Sequence, residues 1–282
     1  MSVAIKDSIE TIAFKESNNI AFDIETEGFA GGNGDEVTIL GFHPESTKDK
    51  SLFLVNKKDK DIDEREVWEE LQDIPVHNTI VIFYNSEYEL LNTGFRNLIQ
   101  NMDVKNQRFY GYNAETWGGG FDFPFLRTRF IKHNIEWYLD GVYYADCLNE
   151  VQNHINTVEP LFSELSEEQQ KQFKSEYNYS TTDIKTNKYT LQELEDFGNK
   201  HEANIFGSSN GLDEAHEVLC DCGVDDPYES SKQAVEDFEN GNVAPVIFHC
   251  FTDVVRTKCI FELVMDYTPA RKPNELKDSG YL

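Results

Sequence analysis

Asn19–Gly28 reads NIAFDIETEG, with Ile20, Phe22 and Ile24 alternating against Ala21, Asp23 and Glu25. A period of two in an aromatic and β-branched run predicts a β-strand. Side chains two apart on a strand share a face, so Asp23 and Glu25 point one way and the apolar trio the other. Thr26-Glu27-Gly28 ends the strand. Two neighbouring carboxylates repel unless a positive charge lies between them, and a hard divalent cation prefers such oxygen ligands. Solvated acids on a half-exposed strand are the plainer alternative.

The following elements continue the pattern. Glu36–His43 and Ser51–Asn56 are predicted strands joined by a polar turn, which makes an antiparallel meander with the first. Ile62–Leu71 is a short predicted helix, and Thr79–Tyr84 (TIVIFY) a strand buried on both faces. Glu87–Met102 has helical spacing, Arg108–Tyr112 reads as a strand and Phe121–Lys132 as a helix. Tyr143–Cys147 is a short strand leading into a helix near Leu148–Ile155. Further helices are expected near Leu191–Phe197, Leu212–Cys222, Ser230–Phe238 and Val246–Met265. The expected class is α/β, a mixed sheet with an antiparallel three-stranded meander, further strands, and helices on both faces. One domain over 1–282 is expected, with a polar insertion or mobile loop near 157–188 and a polar tail near 267–282.

Composition narrows the function classes. With 39% hydrophobic and 13% aromatic residues the chain is a globular protein, not a disordered one. No apolar run is long enough for a membrane span, and the N-terminus does not read as a secretory signal. Five cysteines, an odd number without a framework spacing, predict a reducing, cytoplasmic setting. Cys220-x-Cys222 with His216 lacks usual zinc-knuckle spacing and is read as helix packing. The net charge of −27 would repel nucleic acid at low ionic strength. Either the protein works in high salt, as a halophilic chain does, or cations and a local basic strip handle a polyanion. Lysines outnumber arginines 18 to 7, which speaks against salt adaptation.

Two other constellations carry acids. Gly118-Gly119-Gly120 precedes a helix with Pro124 in its first turn, so Asp122 falls at a helix N-terminus, as an N-cap or as a cation ligand. Arg127, Arg129 and Lys132 follow as the densest basic strip, candidates for phosphate contacts. In the last helix the apolar residues form one broad arc, and His249 and Asp253 lie four apart on the other side.

Taken together, DIETEGF (Asp23–Phe29), GYN…FDFPFLxxR (Gly111–Arg129) and HCFTDVVRT (His249–Thr257) resemble the three motifs of the DEDD 3′→5′ exonuclease superfamily. Within it the chain is most similar to the exonuclease domain of family-B DNA polymerases and its stand-alone relatives. Two departures stand out: seven residues separate Asn113 from Phe121 where about three are usual for the family, and His249 takes a position where tyrosine is usual.

The resemblance implies a ribonuclease H-like fold and a metal-dependent 3′→5′ exonuclease that releases 5′ mononucleotides, with single-stranded DNA as favoured substrate. It implies Asp23, Glu25, Asp122 and Asp253 as ligands for two divalent cations, Mg²⁺ or Mn²⁺, with His249 orienting or deprotonating the nucleophile. Thr26, Phe29, Asn113 and Phe121 are the implied contacts to the terminal nucleotide, Phe29 by stacking. Proofreading or DNA repair, with replication or repair proteins as partners, is the implied setting. Nothing in the sequence reads as a 2′-hydroxyl sensor, so an exoribonuclease stays open, as does a catalytically silent binding module.

Overall fold

The computed structural model describes residues 4–5 and 14–267, apart from 47, 59, 74–77, 116–119, 161, 186–187, 204, 209–210, 221–222 and 229. The expected tail beyond 267 and Cys222 lie outside the described residues.

Seven strands form one sheet in the order β1-β5-β4-β3-β2-β6-β7. They are β1 (Ala4–Ile5), β2 (Asn19–Thr26), β3 (Val37–Pro44), β4 (Ser51–Asn56), β5 (Thr79–Tyr84), β6 (Arg108–Gly111) and β7 (Tyr143–Asp146). β2, β3 and β4 are the antiparallel meander; β4–β5, β1–β5, β2–β6 and β6–β7 are parallel. β2 thus lies centrally, with an antiparallel neighbour on one side and a parallel one on the other. The register shifts between Glu25 and Thr26, which pair with Ile39 and Val37, so the ladder is irregular where the strand's acids end.

The alternation in β2 sorts its side chains into two cores. Ile20, Phe22 and Ile24 pack with β3, β4, the helical stretch after β5 and α4 (Asp122–Lys132). Ala21 belongs to the opposite core, with α1 (Glu64–Asp73), α10 (Ser231–Glu239) and the long α11 (Val243–Tyr267). Phe22 meets Phe42 and Phe123 at 5.3 Å and Phe109 at 5.7 Å. Such ring pairs contribute roughly 0.5–1.5 kcal/mol each beyond their buried area. The Phe22–Phe123 contact has a second effect: it seats the start of α4 over β2 and brings Asp122, the neighbour of Phe123, to Asp23. On the other face, a side chain at Gly41 of β3 would put a Cβ 2.5 Å from Cys250 Sγ. Glycine there lets α11 approach the sheet closely.

Two expectations change. The helix expected over 87–102 is α2 (Glu87–Glu89), a π-helical stretch Leu90–Phe95 and α3 (Arg96–Asn101). Gly94 lies in the π-helical stretch, where a Cβ would fall 2.5 Å from the Tyr84 ring; the helix widens where it crosses β5. The polar segment 157–188 is not a loop. It carries β8 (Val158–Pro160), a 3₁₀ turn Phe162–Glu164, α6 (Glu167–Glu176) and α7 (Thr181–Lys185). α6 starts on a reciprocal cap between Ser166 and Gln169. With α8 (Leu191–His201) these elements bury a small core of their own: Leu165, Phe173, Leu194, Phe197 and Ile205. Phe173 is the sole buried residue of α6, so the helix shows no stripe in sequence. β9 (Phe206–Ser208) pairs with β8, and α5 (Cys147–His154) and α9 (Leu212–Leu219) complete the helices named. Among the described residues no helix is long and apolar enough to cross a membrane.

Candidate active site

The tip of β2, the start of α4 and the first half of α11 converge on one cavity of about 790 Å³. Asp23, Glu25, Asp122, His249 and Asp253 all line it, with Thr26, Phe29, Asn113 and Phe121. Three segments spread over more than 200 residues of sequence thus supply one constellation.

Burial raises the pKa of three of the acids, Asp23, Glu25 and Asp122. Burial raises Asp23 from 3.8 to about 6, against the pull of the His249 charge. Burial also pushes Glu25 well up, opposed by His249 and reinforced by Asp23 and Asp253. Asp122 is pushed well up by burial, then by the charges of Asp23 and Asp146. It opens α4 without capping it: Phe121 is the cap residue, and no side-chain cap bond forms. The Asp122 residue is 4% exposed, and its Oδ2 is buried with no hydrogen-bond partner. A carboxylate oxygen left so is costly unless a cation or proton reaches it. Among the described residues, ligand atoms of Asp23, Glu25 and Cys250 lie within 4.8 Å of one another, as do those of Glu25, His249 and Asp253. These groups could hold a divalent cation, with Asp23, Glu25 and Asp253 offering carboxylate oxygens.

His249 is buried, not on a solvated helix face. Its Nδ1 lies 2.9 Å from both carboxylate oxygens of Asp226, and Arg256 Nη1 stands 3.5 Å from the same acid. The Tyr228 ring meets the imidazole edge-on at 5.4 Å. With Nδ1 occupied, Nε2 faces Glu25 at 3.8 Å and Asp253 at 3.9 Å. Burial alone would lower the imidazole, but the Asp226 hydrogen bond and the charges of Glu25 and Asp253 raise it to about 10. While the carboxylates are bare, the ring is an imidazolium that neutralises part of their charge.

The nucleotide-side residues divide. Phe29 is 84% exposed at the cavity rim, its ring against Phe121 at 5.5 Å; it is not a core residue. Thr26 Oγ1 donates to Gly28 O at 2.8 Å and closes the turn beneath it. Asn113 takes a left-handed φ of 58°, and its amide donates to Asp146 Oδ1. Phe121 N donates to Asn113 O at 2.7 Å, so the longer loop returns Phe121 beside Asn113.

The arginine strip is a correction. Arg129 is 5% exposed and donates to Glu87 through Nε and Nη2 and to Gly31 O through Nη1. Arg127 binds Glu115 at 2.7 Å and the Tyr144 hydroxyl at 2.7 Å. Neither lines the cavity: Arg129 is buried in its ion pair, and Arg127 is half-buried and held by Glu115 and Tyr144. The basic residues that do line it are His249 and Lys232, the latter from α10. Sequence reasoning also missed Asp226, Tyr228 and Cys250. Asp226 has no local signal: it precedes Pro227 in a polar turn, 23 residues before the histidine it meets.

A family model of the RNase_H superfamily matches residues 20–114, from β2 through β6. The match includes Asp23 and Glu25 and ends before Asp122 and Asp253. No curated protein matches the chain. The match and the mixed sheet support an RNase H-like fold, a nuclease-type fold whose enzymes usually use divalent metals.

Proposed function

We propose that the protein is a metal-dependent 3′→5′ exonuclease that hydrolyses single-stranded DNA and releases 5′ mononucleotides. The observation that carries this reading is the buried, unpartnered Asp122 Oδ2 in one cavity with Asp23, Glu25, Asp253 and His249. Two divalent cations on the four carboxylates would supply a water of lowered pKa and charge stabilisation for the leaving 3′ oxygen. The protein's own part is positional. Asp226 fixes the imidazole so that His249 Nε2 points toward Glu25 and Asp253, where it orients the attacking water or takes its proton. Phe29, exposed and braced by Phe121, stacks on the terminal base, which tolerates any sequence. Thr26 and Asn113 border the same entrance. The cavity lining offers five acids against Lys232 and His249, so bound cations must offset the substrate's charge.

The test uses 3′-end-labelled single-stranded DNA and RNA with Mg²⁺, Mn²⁺ or chelator over a range of salt. The expected result is cation-dependent release of mononucleotides from DNA. Faster release from RNA would assign an exoribonuclease. No cation-dependent release from either would refute the enzyme reading in favour of a silent binding module. Activity confined to low salt would rule out salt adaptation.

Asp226 yields a second expectation. Asp226→Ala is expected to lower kcat by roughly 10–100-fold, the usual range for losing the partner that orients a site residue, with little change in KM. Asp226→Asn should recover part of the loss, because its amide oxygen still accepts from Nδ1–H. Equal losses in both variants, matched by equal falls in melting temperature, would leave Asp226 a purely structural residue.

A further inference from the structure

Cys250 is a thiol that the hydrolytic reading leaves unused. It is fully buried on α11, over Gly41, which stands opposite Asp23 in the sheet. Its Sγ lies 3.6 Å from Asp23 Oδ2. That separation is close to the sulfur–oxygen edge of about 3.5 Å that zinc bond lengths give in a tetrahedral site. Sγ forms a three-donor group with Asp23 and Glu25, and Glu25 is shared with the group of His249 and Asp253. Asp122 lines the same cavity with its buried Oδ2 unpartnered.

We propose that Asp23, Glu25 and Cys250 form a binding site for a thiophilic divalent cation of the Zn²⁺ class. Thiolate selects soft and borderline ions, whereas carboxylates alone favour Mg²⁺ and Mn²⁺. Binding replaces the Cys250 S–H bond by a sulfur–metal bond and releases one proton to solvent; nothing is oxidised or reduced. Asp23 and Glu25 are common to both kinds of ion, so a thiophilic cation excludes the hard ones. The inference rests on the reading of Asp23 and Glu25 as cation ligands, not on hydrolysis.

The test is a Cd²⁺ titration of the reduced full-length protein, read by the ultraviolet thiolate-to-cadmium charge-transfer band. The first equivalent is expected to raise the band in the wild type. Cys250→Ser should abolish that first-equivalent band while a Mn²⁺-induced rise in melting temperature is retained. Asp23→Asn should weaken Cd²⁺ binding at least roughly tenfold. In the wild type, excess Mn²⁺ should move the Cd²⁺ midpoint upward, a readout independent of any variant. No band at the first equivalent, a band that survives Cys250→Ser, or a midpoint indifferent to Mn²⁺ would each overturn the proposal. A band in a protein that degrades neither DNA nor RNA would remove the nuclease reading alone; degradation without a band would remove this one alone.

Discussion

Asp23→Asn is expected to raise the melting temperature of the metal-free protein at pH 7.5 while removing its cation-dependent activity. Asp23 has a folded-state pKa of about 6 against an ordinary 3.8, chiefly through burial. The native state therefore holds this proton more tightly than the unfolded chain does. Wild-type stability from this group is highest below 3.8, falls as pH rises between 3.8 and about 6, and stays low above that. Asparagine does not ionise, so the variant should gain over the wild type across that window and keep the gain at neutral pH. The difference between 3.8 and about 6 corresponds to at most about 3 kcal/mol, less for the part-exposed carboxylate seen here. For a chain this long the gain amounts to roughly 2–6 °C. Activity should move the other way. Losing a carboxylate that holds the cation removes several kcal/mol of transition-state stabilisation, on the order of 10³-fold in rate. Melting curves at pH 4 and 7.5 with chelator, alongside labelled-DNA assays, check both halves. A variant less stable than the wild type at pH 7.5 would show that Asp23 is a structural acid.

Arg129→Ala is expected to cost about 3–5 kcal/mol of stability, the usual result of leaving one member of a buried ion pair alone. Glu87 is 1% exposed and accepts from Arg129 Nε at 2.9 Å, from Nη2 at 2.6 Å and from Val37 N at 2.8 Å. His133 Nε2 also meets it. Without the guanidinium, this carboxylate would stay buried beside the start of β3. The same substitution frees Gly31 O, which Arg129 holds at 2.9 Å. Gly31 follows Phe29 in the turn at the cavity rim, so KM for single-stranded DNA should rise as that turn loosens. A phosphate contact would behave differently: it would leave stability intact and reduce the salt slope of binding by about one. Urea unfolding and binding at several salt concentrations separate the two. Changing Glu87 and Arg129 together to leucine should restore part of the stability, because the buried pair is then removed as a unit.

Much of this architecture can be read from local pattern. The alternation of Ile20, Phe22 and Ile24 marks β2 and puts Asp23 and Glu25 on one face, because strand side chains alternate. Pro124 in a first turn marks the start of α4 and with it the place of Asp122. The spacing of His249 and Asp253 puts both on one side of α11. The helices of 157–188 escaped because a small core of five buried residues leaves too few apolar positions to set a period.

What the sequence alone determined, then, is the order of the strands and helices that carry the motifs and the face on which each motif acid stands, since both follow from the geometry of a single element. Which polar groups meet was decided only in three dimensions. Glu87 neutralises Arg129 across 42 positions, Asp226 holds His249 across 23, and Cys250 comes to Asp23 across 227. A charge in a sequence carries no mark of whether it will face solvent, a substrate or a distant partner. Packing settles that when Phe22 draws Phe123 over β2 and Gly41 admits α11, for those two contacts bring the four carboxylates into one cavity.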